Sequence, residues 1–186
     1  MHGWGGSPNS SWIPWLRSSL ESKGLEVHAL SMPNTDNPTI SGWVGYLAQQ
    51  VGSPDENTYL VGHSMGCQAI IRYLETINRN VGGILLVAGF VSIRSGALNT
   101  DAERNTAMPW VSTPIDWAKA KANTANSVFV ISDNDPYIDI SDAKVLKERL
   151  GAKVIVIPGA GHFTAADGYM ELHLALNEVM KMAHGD

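Results

Sequence analysis

The chain has 186 residues, 44% hydrophobic and 17% charged, which suits one globular domain with a buried core and excludes a disordered or fibrous protein. A formal charge of -5 disfavours nucleic acid as a partner, because its phosphates need a basic face. The lone cysteine, Cys67, allows no internal disulfide and fits a reducing compartment, and no apolar run approaches the ~20 residues of a membrane span. No charged start leads into an apolar stretch, so no secretory signal is visible, and the expectation is a cytoplasmic protein without a membrane partner.

Apolar runs and helical patterns alternate along the chain. A helix is expected over residues 12–23, with Ser10 and Ser11 as caps and Pro14 tolerable in its first turn. Gly24 would stop it, and residues 25–30 read as a short strand. A helix over 40–51, a strand over 58–62 and a helix over 65–77 follow; in the last, Ala69, Ile70, Tyr73, Leu74 and Ile77 recur at helical spacing. After a strand over 83–88, residues 89–112 are rich in Ser, Asn, Thr and Gly and read as a loop or small lid. Phe90, Met108 and Trp110 lie in that stretch and are candidates for a substrate pocket. Helices over 114–122, 141–150 and 166–182 then alternate with strands over 128–132 and 154–157. Strands this continuously apolar suit a mostly parallel sheet covered on both faces, a doubly wound α/β fold in a single domain over 1–186.

Gly62-His63-Ser64-Met65-Gly66 matches G-x-S-x-G. The bare pattern is weak, but here it follows an apolar run and opens a helix, the setting of a nucleophile elbow. A serine there sits on a sharp turn at a helix N-terminus, whose unpaired N–H groups favour a developing negative charge. Serine is a poor nucleophile without a base held by an acid, and the chain supplies both after later strands. Asp133-Asn134-Asp135-Pro136 follows the strand over 128–132, and Gly161-His162 follows the strand over 154–157. Asp135 is the favoured acid because it lies further into the loop, before a proline; Asp133, the alternative, suits a turn-forming role. Asp139 is expected to help begin the next helix. Among the histidines, His28 and His173 fall inside regular elements and His184 in a tail, whereas His63 adjoins the serine and is expected to point elsewhere. His162, in the last strand-to-helix loop, is the candidate base. The opening His2-Gly3-Trp4-Gly5-Gly6 reads as an oxyanion loop, in which the N–H of Trp4 would join that of Met65.

Four stretches, HGWGG at the start, GHSMG around Ser64, SDNDPYI around Asp135 and GAGHF around His162, resemble the α/β-hydrolase superfamily. More narrowly they resemble the small serine hydrolases grouped with retinoblastoma-binding protein nine and YdeN. Residues 114–123 also resemble the segment before the penultimate strand in that group. The resemblance implies a compact esterase or small-amide hydrolase with Ser64 as nucleophile, His162 as base and Asp135 as orienting acid, needing no metal or organic cofactor. It also implies a strand before the HG loop, lying between residues 25–30 and 58–62. Without it, two unpaired edges and an apolar gap are expected, and the native protein is expected to start upstream of Met1. No L-x-C-x-E motif is present, so a retinoblastoma partner is not inherited. The reading is a carboxylesterase of small acyl esters. A small-peptide or aminoacyl-ester hydrolase, and a non-catalytic interaction protein on the same fold, stand as alternatives.

Overall fold

A computed structural model describes residues 1–185. Four parallel strands, β1 (Tyr59–His63), β2 (Gly83–Val87), β3 (Ser127–Ser132) and β4 (Lys153–Ile157), form one sheet in the order β1-β2-β3-β4. Val61 lies beside Leu85, Leu86 beside Phe129, and Val130 beside Ile155. Every residue of β2 is buried, as a central parallel strand requires, while β4 at the edge is half exposed.

Parallel strands in sequential order, joined by crossovers of one hand, send the connecting helices to one face. There α3 (Met65–Leu74) packs on α2 (Ile40–Val51) and α5 (Trp117–Ala122), and α5 on α6 (Asp142–Leu150). The other face is covered by α1 (Ile13–Glu21) and α7 (His173–His184), which touch each other. All of α3 is buried, and α6 turns Asp142, Leu146 and Leu150 inward at i, i+4 spacing. Among the described residues the buried apolar side chains, Ala107 apart, form one contiguous cluster. Among the described residues no helix is long and apolar enough to cross a membrane.

Four expectations are corrected. Residues 25–30 have no ladder partner and are not a strand. Among the described residues the edge of β1 facing them carries Met1, whose amino group donates to Val61 O and whose carbonyl accepts from His63 N. The space between is a cavity of about 420 Å³ lined by Leu25, Val27, Leu30, Tyr59 and Val61 among others. Residues 101–112 are not loop but helix α4 (Asp101–Ser112), started by a capping box between Thr100 and Glu103. Residues 166–182 are not one helix: a single tight turn over Ala165–Asp167 ends at left-handed Gly168, and α7 begins at His173. Finally, α1 takes no side-chain cap from Ser10 or Ser11. Ser10 Oγ accepts from Ser7 N, and Ser11 Oγ from Ala165 N in the loop of His162.

Candidate active site

Ser64 sits between β1 and α3 with φ 53°, a left-handed strain for a residue with a Cβ. The turn closes because glycine precedes it by two: a Cβ on Gly62 would lie 2.8 Å from Cys67 N. The backbone of Ser64 is tied to the sheet through its N–H to Val87 O at 2.9 Å. Neither Met65 N nor Trp4 N donates to a protein acceptor among the described residues, and both residues line the same cavity as Ser64.

The opening loop is pinned by a residue that the motif reading did not single out. His2 is buried, and its Nε2 accepts from Met32 N at 3.1 Å. Its Nδ1 must then carry the proton, which it donates to Gly3 O at 2.8 Å. Desolvation in that position holds its pKa below the ordinary value. The signal lay in the pair His-Gly beside the elbow, but only tertiary contact reveals both partners.

Asp135 is fully buried after β3, and its Oδ2 lies 2.7 Å from Nδ1 of His162, itself buried after β4. A carboxylate at that distance fixes the proton on Nδ1 and leaves the Nε2 lone pair free. Oδ1 of Asp135 accepts from the N–H groups of Tyr137 and Ile138, so its orientation is set by its own turn. Asp133 instead accepts from Gly159 N and does not meet His162. The imidazole of His162 lies between Tyr137, at 4.9 Å between ring centres, and His63, at 5.0 Å. Ser64 and His162 line one cavity, but Ser64 Oγ and the imidazole are not hydrogen-bonded to each other. Such bonds often tighten only around a bound substrate.

His63 does not point elsewhere. It lies under the site, where its Nε2–H donates to His162 O at 2.8 Å and its ring meets Trp12 edge-on. Desolvation, reinforced by the neighbouring His162, pushes its pKa down to about 4, so it is a neutral strut.

The cavity holds about 500 Å³, a size usual for small-molecule sites. One wall is apolar, with Phe90, Ile93, Leu98 and Ala107; the opposite rim carries Ser10, Ser11 and Thr164. Of the three pocket candidates only Phe90 is there. Trp110 is buried against Trp43 with its N–H on Pro38 O, and Met108 faces solvent. Helical geometry explains the difference: Glu103 and Ala107, four apart on α4, face the cavity, and the next residue is rotated away. The wall at 90–94 is itself anchored. The buried carboxylate of Asp142 accepts from Val91 N, Ser92 N and Ser92 Oγ at 2.7–2.9 Å, and Arg94 Nε donates to Ile138 O.

The sequence matches the family described as Serine hydrolase over residues 1–181. The chain belongs to that family. This hydrolase is similar to the protein YdeN of Bacillus subtilis (strain 168), 30% identical over 174 residues, or 92% of this chain and 88% of YdeN. It is also similar to the serine hydrolase RBBP9 of Rattus norvegicus, 29% identical over 163 residues covering 87% of this chain and 83% of RBBP9. The crystal structure of the B. subtilis ydeN gene product superposes with a TM-score of 0.86 at 28% identity, covering 97% of this chain and 95% of that one. Est1E from Butyrivibrio proteoclasticus shares the fold, with a TM-score of 0.73 at 17% identity, over 100% of this chain and 88% of that one.

Proposed function

We propose that this serine hydrolase cleaves small acyl esters through a covalent acyl-enzyme, with Ser64 as nucleophile, His162 as general base and Asp135 as orienting acid. The observation that carries the reading is the 2.7 Å contact between a fully buried carboxylate and His162 Nδ1, on the cavity that Ser64 lines. His162 Nε2 takes the Ser64 proton as Oγ attacks the ester carbonyl, and Asp135 stabilises the imidazolium so formed. The oxyanion is received by the free N–H groups of Trp4 and Met65, each such donor contributing about 10²–10³ in turnover. The imidazolium then protonates the departing alkoxide, and the same base activates water to release the acid. Neither half-reaction calls for a metal or an organic cofactor.

The apolar wall suits a plain acyl chain. Glu103 also lines the cavity, but its carboxylate is turned to the N–H groups of Asn99 and Thr100, which argues against a dedicated ammonium site. Mass spectrometry after a fluorophosphonate probe tests the nucleophile: the label is expected on Ser64 and absent in Ser64→Ala, whose kcat falls by about 10⁵–10⁶-fold. A 4-nitrophenyl ester panel, acetyl to octanoyl beside aminoacyl, tests the substrate class. Preference for aminoacyl esters would move the reading to small-peptide chemistry, and no label on folded protein would leave the interaction protein standing.

A further inference from the structure

Ser132 ends β3, and Asp133 and Asn134 lead on from it into Asp135, yet no step above uses them. All three turn across to the loop after β4. Gly159 N donates to Asp133 Oδ1 at 2.8 Å, Ala160 N to Ser132 Oγ at 2.9 Å, and Gly161 N to Asn134 Oδ1 at 2.7 Å. The next N–H, of His162, donates to Asp167 Oδ2 at 3.1 Å. Four successive amides therefore end on four side chains, where a strand or helix would have used backbone carbonyls.

The proton assignments close on one arrangement. Asn134 Oδ1 accepts from Gly161, so it also accepts the 2.7 Å bond from the Ser132 hydroxyl, whose lone pairs remain for Ala160 N. Loop geometry makes these bonds necessary. Gly159, Gly161 and Phe163 all have positive φ, and a Cβ on Gly161 would lie 2.2 Å from Asp167 Oδ1. A segment so contorted has no ladder to hold it and takes its shape from its partners.

We infer that Ser132, Asp133 and Asn134 are positioning residues for His162, clamping the loop that carries it so that Nε2 faces the cavity in one place. This rests on His162 being the base, as proposed above. The Asp135 bond fixes ring rotation about a backbone that must already be placed, and a misplacement of ~1 Å can cost about 10² in rate.

Asn134→Ala and Asp133→Ala test the clamp at exposed positions, with Asn134→Asp as the conservative restoration of the acceptor. Kinetics on 4-nitrophenyl butyrate are read beside the low-field proton resonance of His162 Nδ1–H. For Asn134→Ala, kcat is expected to fall about tenfold to a hundredfold with KM nearly unchanged, the resonance to broaden, and Asn134→Asp to recover most of both. A folded pair of alanine variants with unaltered kcat and resonance would overturn the clamp and leave the hydrolase reading intact. So would a loss that Asn134→Asp does not restore. A wild type that takes no phosphonate would overturn the hydrolase reading, and with it the base that the clamp serves, whereas a labelled wild type whose alanine variants keep kcat and resonance would overturn the clamp alone.

Discussion

The imidazole of His63 is buried with its Nε2–H on a carbonyl, an arrangement that only the neutral ring satisfies without leaving a charge in the core. Its pKa stands at about 4 in the folded chain against an ordinary 6.5, so on acidification the unfolded chain takes up this proton first. Stability from this residue is therefore whole above pH 6.5 and is lost as pH falls towards 4, by about 3 kcal/mol in all. Urea midpoints measured from pH 7 to pH 4.5 should fall more steeply in wild type than in His63→Gln, whose side-chain amide keeps a donor without titrating. Parallel curves would sink the assignment. At Asp135 the expectation concerns rate: Asp135→Asn keeps the packing but no longer sets the tautomer, and kcat should fall about 10⁴-fold. These residues differ in legibility. Ser64, Asp135 and His162 stood out because each follows a strand in a motif with its own chemistry. His63 and His2 did not, because their work is done by backbone groups far away in sequence, at residues 162 and 32.

Local pattern revealed most elements and missed those that depend on a partner. The strands over Tyr59–His63 and Gly83–Val87 were readable from apolar, β-branched runs because burial on both faces leaves no room for polar alternation. Helix α4 was not, since Pro109 and a polar composition masked it, although Thr100 and Glu103 spelled its capping box. Met108 and Trp110 take their directions from the turn of that helix, which carries both away from the cavity. Residues 25–30 have the composition of a strand but no ladder partner among the described residues, where Met1 bonds to the adjoining edge of β1. There the Met1 amino group is enclosed, and desolvation lowers its pKa to about 6. Five apolar β-formers placed before Met1 would move that charge away, fill the cavity and pair both edges. Tm at pH 6 should rise, because the extension takes a desolvated amino group off the edge of β1. A scan showing no rise would mean the slot does not accept a strand. On the opposite side of the site, Asp142→Ala frees the wall at 90–94 and leaves two N–H groups and a hydroxyl without their acceptor, at about 1–3 kcal/mol for each that water does not reach. The octanoyl ester should then lose more kcat/KM than the acetyl ester, because the wall holds Phe90 and Ile93; equal losses would place Asp142 outside the acyl pocket.

Across the whole molecule the site is assembled from strand ends that share one core, so its integrity follows that core. Helix α3, which begins at the elbow, is buried along its full length, and Cys67 in its first turn has no exposed surface. Its thiol donates to Val87 O on β2, and burial pushes its pKa up to about 12, so almost no thiolate exists at neutral pH. A thiol reagent therefore needs the sheet and α3 to separate. The groups that close over Cys67 include Val87 of β2 and the backbone at Gly62 and Gly89, so fraying of α1 or of the half-exposed β4 edge alone should not free it. As Cys67 is the lone cysteine, its modification reports one event without competition. Under native conditions its labelling should be slow and should accelerate with urea along the same slope as global unfolding, since the surface exposed is the same. The Ser64 phosphonate reaction, which needs only the open cavity, should proceed at its full rate in the same buffer. A shallow urea dependence for Cys67 would instead reveal a local opening beneath the elbow, and the phosphonate rate would then be expected to fall at the urea concentrations where that opening is populated.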